Sequence, residues 1–369
     1  MVTEPTAPVS DERMTREPLL TSLMKRPELG AVAGLILVTG FFMFTASSAM
    51  FTPAGILNVL TPGAQLGILA IAATLLMIGG EFDLSIGSMV AFAGMIFGAF
   101  VVNLGLPLIV AIPATLTICA LIGAANGMIV LRTGLPSFIV TLAGLFALRG
   151  LSLVGLKWLT GGSTQLRGVR EAVAEDWLRP IFSGDAFGPL FTWLAMQGYL
   201  DKLPNGAPKV PGIPVEILWF VALTLAATWV LLRTPAGNWI FAAGGDANAA
   251  ANSGVPVRQV KIALFMLTAA CAALLAIIQV MDAGSTDAQR GLQKEFQAII
   301  AAVIGGTLLT GGYGSAIGAF FGSIIFGMVV IGLTYTGIDQ DWFLVFLGGM
   351  LLLAVIFNNE IRKRVTGER

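Results

Sequence analysis

Histidine is absent from this 369-residue chain, which excludes imidazole acid–base catalysis and His-ligated metals. Charge is also scarce. Asp, Glu, Lys and Arg make up 11% of the residues, against about a quarter in soluble domains. A soluble core of this size would lack its polar shell. The formal net charge is zero and no long basic run occurs, so nucleic acid is excluded as a partner. There are two cysteines, Cys119 and Cys271, both inside apolar runs, where a thiol serves as a small packing group. No G-x-x-x-x-G-K-S/T phosphate loop, nucleophile elbow or zinc-protease motif is present. The chain therefore has no such device of its own for hydrolysing ATP.

What remains is apolar. Hydrophobic residues make up 56% of the chain, glycine contributes 45 residues, and the mean hydropathy is +0.86. Small residues let membrane helices approach closely. The fold class is an all-α polytopic membrane protein. Stretches of about 20 apolar residues predict ten spans, at 30–50, 62–80, 84–103, 107–131, 137–156, 215–232, 260–281, 296–309, 313–334 and 342–358. The eighth is short and runs into Gly311-Gly312-Tyr313-Gly314, the mark of a broken or re-entrant helix.

Lys and Arg near the span ends set the orientation. Arg13, Arg16, Lys25 and Arg26 precede the first span, and Arg132 follows the fourth. Arg233, Arg258 and Lys261 flank the connection between the sixth and seventh, and Arg362, Lys363 and Arg364 follow the last. Connections 51–61, 104–106 and 335–341 carry none. Both termini are expected in the cytoplasm. The chain then divides into a cytoplasmic tail at 1–28, a permease domain at 29–360 and a second tail at 361–369. The long connection 157–214 lies outside, as a small folded cap whose apolar stretch 187–200 is too short to span. A faint echo links Ile78-Gly79-Gly80 to Ile304-Gly305-Gly306, the sign of two related halves.

Three segments carry candidate functional residues. Glu81, Asp83 and Ser85 sit at the inner junction of the second and third spans. Asp83 either caps the helix that follows or belongs, with Glu81, to an inner gate. One residue apart, the two acids share no helix face, which speaks against a paired acid–base device. Asn126 in the fourth span and Ser137 and Thr141 in the fifth either line a hydrophilic path or bond between helices. The third segment, 244–254, is a polar interruption between two spans. Asp246 reads as its cap and Gly254 as its stop. Gly245, Ala247, Asn248, Ala250 and Ser253 are too small to anchor it in lipid. Such a helix has a purpose if a cytosolic partner pushes on it.

Together these segments resemble the ribose/xylose-type sugar permeases of bacterial ABC importers. The family's E-I-D-L-S-V-G-S reads EFDLSIGS at 81–88, and its P-S-F-I-V-T-L-A recurs at 136–143, with Arg149-Gly150 downstream. Its coupling segment matches 244–255, with Asp246 for the usual Asn, and its I-G-G-T-S-L-x-G-G-x-G-S matches 304–315, with Leu308 for Ser. The resemblance implies a type II importer in the bacterial inner membrane. It would have two permease subunits, a cytosolic ABC ATPase that uses ATP and Mg, and a periplasmic substrate-binding protein. No cofactor is bound by this chain. The implied cargo is a monosaccharide, polyol or similar solute. Nucleosides or branched-chain amino acids remain alternatives, as does an ion-coupled secondary transporter. Related importers use outer arginines to dock the binding protein, which points to Arg167, Arg170, Arg179 and Arg290.

Overall fold

The computed structural model describes residues 27–366. The tail expected at 1–28 lies outside them except for its last two residues, which open a helix. The described residues form thirteen helices of six or more residues, in order: α1 Pro27–Thr45, α2 Pro53–Ile78, α3 Ile86–Gly98, α4 Leu108–Thr133, α5 Ser137–Thr160, α6 Gly188–Met196, α7 Val215–Arg233, α8 Pro235–Gly245, α9 Ala247–Asn252, α10 Val257–Ala283, α11 Lys294–Ile304, α12 Ala316–Thr336 and α13 Trp342–Thr366. Among the described residues, eight helices are long and apolar enough to cross a membrane: α1 to α5, α7, α10 and α12, with α3 extended by a π turn to Asn103. α11 has 11 residues, too few to cross a membrane by itself, and fits a broken or a re-entrant helix alike. α13 continues through Thr366 into the tail expected at 361–369.

Two boundaries differ from expectation. The connection expected at 51–61 is mostly helical. Thr52 caps α2 by accepting the Gly55 N–H at 3.2 Å, and Pro53 starts the first turn. Pro62, which looks like a boundary, sits inside α2. A proline forfeits one backbone donor, a loss that packed membrane helices tolerate. α8 falls where the sequence places only the connection between the sixth and seventh spans. Thr234 caps it and Pro235 stands at its first position.

α2 lies at the centre, with Leu66, Ile68, Leu69 and Ala70 fully buried. α7, α8, α10, α11 and α12 surround it. The echo between the two glycine pairs is geometric as well as sequential. Gly79 and Gly305 end α2 and α11 at φ −71° and −67°, and Gly80 and Gly306 follow at φ 81° and 88°. Gly80 N–H donates to the Met77 carbonyl at 2.9 Å and Glu81 N–H to that of Leu76 at 3.1 Å. Gly306 and Thr307 repeat both bonds, to Val303 at 2.9 Å and Ala302 at 3.1 Å. Each is a Schellman-type stop, which needs glycine at the left-handed position.

The 157–214 segment is helical to Thr160 and then folds as a cap. β1 (Gln165–Arg167) pairs antiparallel with β4 (Ser285–Asp287), which joins the cap to the end of α10. β2 (Asp185–Ala186) pairs with β3 (Ile213–Pro214), and α6 projects between them. Val169 and Val173 bury against Phe97, Ile277 and Met281. Phe182 stacks on Trp219 at 5.4 Å, and the Trp219 indole donates to the Ile181 carbonyl at 2.8 Å.

Candidate functional site

The six residues singled out in the spans meet in one network. The chain between α2 and α3 crosses the start of α5, where Phe82 N–H donates to Ser137 Oγ and Leu84 N–H to Thr141 Oγ1, both at 3.0 Å. Asn126 Nδ2 reaches in from α4 to Ser85 Oγ at 3.1 Å. Asp83 is buried at 6% exposure. Its Oδ1 accepts the Ser85 N–H at 2.9 Å and the Ser85 hydroxyl at 2.6 Å, and its Oδ2 accepts from Thr268 Oγ1 of α10 at 2.8 Å. Glu81 pairs with Lys261 of α10 at 2.5 Å.

Two details correct the sequence expectation. Asp83 is not the helix cap; Ser85 occupies that position, and Asp83 braces it from two residues upstream. Lys261 and Thr268 also belong to the network without having been singled out. Lys261 had a signal, a cation within reach of the membrane edge opposite two acids. Thr268 had none, because a threonine in an apolar helix ordinarily bonds its own backbone.

The network predicts an asymmetry between two substitutions. Asp83→Asn keeps an oxygen for both Ser85 donors and turns an amide towards Thr268 Oγ1, which then donates only to the Phe265 carbonyl at 2.9 Å. Asp83→Ala strands the Ser85 amide and hydroxyl, and an unmet buried donor costs about 1–3 kcal/mol. Thermal unfolding of the purified protein should show near-wild-type stability for Asn and a clear loss for Ala. Equal losses would mean that the charge, not the hydrogen bonding, holds this junction.

The polar interruption forms the capped helix its sequence suggested. Asp246 Oδ1 accepts the N–H groups of Asn248 and Ala249, both at 2.9 Å. α9 spans six residues, and Gly254 ends the segment at φ 85°. Gly245, Asp246, Asn248, Ser253 and Gly254 are exposed and Ala247 is half-buried. Ala250 turns inward at 6% exposure and is a packing residue rather than a contact surface. Gly244, just before, lies against Ile78 and Gly312, so α9 hangs from the end of the bundle that holds the Asp83 network. Glu28 of α1 joins this end by accepting from Ser315 Oγ at 2.7 Å.

α5 starts at this end and, at about 1.5 Å per residue, carries the chain across to the cap. There Arg167 and Arg170 are exposed and Arg179 is half-buried. Arg170 donates to the Asp282 carbonyl at 2.6 Å. Arg290 differs from the expectation of a free outer charge: its side chain is 15% exposed and turned inward. It bonds Gln279 at 3.5 Å and the Ser285 carbonyl at 3.0 Å, and pairs with Asp287 at 3.5 Å. Gln279 continues to Gln65 at 2.9 Å, and Gln65 to Glu216 at 3.4 Å. Arg290 thus anchors a polar chain running through α10 and α2 to α7.

Comparison with known proteins places this architecture. Residues 55–355 match the family described as branched-chain amino acid transport system / permease component. A xylose transport system permease protein of Escherichia coli is 31% identical over 365 residues, covering 90% of this chain and 92% of its own length. A ribose import permease protein of the same species is 31% identical over 339 residues, covering 92% and 94%. An inner membrane ABC transporter permease protein of that species is 31% identical over 304 residues, covering 82% of each chain. No solved structure matches significantly.

Proposed function

The chain belongs to this permease-component family, and from that premise we propose that it is the membrane-spanning subunit of an ATP-driven importer in the bacterial inner membrane, moving a monosaccharide or a related small polar solute. A permease component of an ABC importer is not itself an enzyme. The observation that carries the reading is α9, a capped helix of small residues at the same end of the bundle as the Glu81–Ser85 network. A cytosolic ATPase docked on α9 would act on the junction that holds α2, α3, α5 and α10 together. In this reading two copies of the chain flank the solute path, and a periplasmic binding protein delivers cargo to the cap. Its docking surface is assigned to Arg167, Arg170 and Arg179; Arg290 serves the polar chain instead.

Sugar is favoured over nucleosides or branched-chain amino acids by the xylose and ribose permeases at 31% identity. An ion-coupled transporter is disfavoured because Glu81 and Asp83 already have partners in Lys261, Ser85 and Thr268. The test is uptake by vesicles holding the permease, its ATPase and its binding protein. Uptake should require ATP and binding protein together, and Arg170→Glu should slow loading most at low salt, where charge is least screened. Uptake by the isolated subunit down an ion gradient would overturn the reading.

The orientation has its own test. Ser163 in the cap and Ser253 beside α9 are exposed, whereas Cys119 and Cys271 are buried. In a background without the native cysteines, a cysteine at Ser163 is expected to label from the periplasm and one at Ser253 from the cytoplasm. Labelling of both from one side would refute the scheme.

A further inference from the structure

An apolar cavity of about 490 Å³ lies between α2, α7, α8 and α10, and the transport reading does not use it. Ile71, Leu75, Ala227, Ile240 and Leu264 form its buried floor. Ala226, Trp239 and Ala263 stand exposed on its rim, so it opens on the surface of the bundle. Apart from the Trp239 indole and the Cys271 thiol, its one polar lining side chain is Gln259. A sugar would leave its hydroxyls unmet here, at a cost of kilocalories per group. The cavity suits a hydrocarbon.

Its shape and ends narrow the choice. Along α10 the lining runs from Pro256 to Cys271, about 22 Å at about 1.5 Å per residue. One leaflet contributes about 15 Å of hydrocarbon, so a chain lying along α10 fits lengthwise. The end at Pro256 carries charge. Arg233 lies on α7 between the lining residues Val230 and Ala236, and Arg258 on α10 between Pro256 and Gln259. Both arginines are exposed. The ion pairs among the described residues are those of Lys261 with Glu81 and Arg290 with Asp287, which leaves Arg233 and Arg258 without one. Trp239 sits at the same end, where an indole suits the interface of headgroup and chain.

We propose that this cavity holds an acyl chain of an anionic phospholipid of the cytoplasmic leaflet, with its phosphate between Arg233 and Arg258. The choice of leaflet rests on the orientation given above; the site itself does not. The lipid would lie against α8 and the first turns of α10, the two helices that flank α9, where its presence bears on how that segment is held.

The test uses the purified permease assembly in bilayer discs of equal phosphatidylglycerol and phosphatidylcholine, washed with detergent and weighed by native mass spectrometry. Wild type should retain phosphatidylglycerol over phosphatidylcholine. Ala263→Phe, which fills the cavity from its rim, should cut retention at least about fivefold, and Ala226→Phe does the same from the opposite wall should the first variant fold poorly. Arg233→Gln with Arg258→Gln should abolish the headgroup preference. Equal retention of the two lipids by wild type overturns the proposal. So does loss in the arginine variant with full retention in both phenylalanine variants, which would mean headgroup pairing without a seated chain. A change in permease stoichiometry in place of lipid loss would show that a second copy covers the cavity, and that also overturns it. Uptake and cysteine labelling, scored separately, report on the importer reading and leave the lipid result independent.

Discussion

Replacing Ala251 by arginine is expected to abolish productive docking of the ATPase while the permease still inserts and folds. Ala251 is exposed on α9, on the surface shared with Asn248, Ala249 and Asn252. A helix of six small residues presents a smooth ridge that suits a groove. An arginine there adds a long charged side chain that such a groove must desolvate without a partner. The Asp246 cap and the inward Ala250 are untouched, so the helix itself persists. Co-purified ATPase, or ATP hydrolysis stimulated by loaded binding protein, should fall roughly tenfold or more, which is about 1.4 kcal/mol of lost docking. Ala250→Arg would be a poorer probe, because burying a charge at 6% exposure tests packing instead of docking. Full stimulation in the Ala251 variant would remove α9 as the docking element and with it the observation on which the importer reading most depends.

How far the sequence discloses this arrangement varies with the length scale of the signal. Apolar runs of span length are legible because lipid permits few alternatives, so α3, α4, α5, α7, α10 and α12 lie close to where composition places them. Local chemistry is legible too: Asp246 opens α9 with its carboxylate, and Gly254 closes the segment with the left-handed backbone that glycine adopts freely. Signals that depend on a third element are not. Pro62 reads as a boundary because the packing that tolerates it is contributed by other helices. Arg290 reads as a surface charge because its partner Gln279 lies in an apolar helix and becomes relevant only once α10 is folded back. Glu81, Asp83, Ser85, Asn126, Ser137 and Thr141 could be picked out singly as polar residues in apolar surroundings. That they form one network with Lys261 and Thr268 follows from tertiary packing alone.

Gly244→Ala is expected to uncouple the two ends of this machinery, whereas Gly245→Ala, one residue on, should pass unnoticed. Both glycines lie at the last turn of α8, where alanine is the better helix former by about 1 kcal/mol, so propensity favours each substitution. Space decides between them. A methyl group on Gly245 meets nothing within 4 Å. A methyl group on Gly244 overlaps the Ile78 carbonyl and comes within 2.8 Å of the Gly312 amide. These two atoms are already bonded to each other, Gly312 N–H to Ile78 O at 2.8 Å. Backbone atoms held in this way cannot rotate aside, so the end of α2, the end of α8 and the 305–315 loop must separate. Overpacking of this kind costs about 1–3 kcal/mol, and the joint it opens links α9 to both Schellman-type stops. Gly311, whose own Cβ would lie 2.8 Å from the Gly80 Cα, shows how closely the segments meet without side chains. The Gly244 variant should therefore unfold at lower temperature and lose most of its substrate-stimulated ATP hydrolysis, with Gly245→Ala matching wild type on both measures. If Gly244→Ala kept wild-type stability and coupling, the glycine joint would be a packing convenience, and motion of α9 would have to reach the Asp83 network by way of α10, through Lys261 and Thr268.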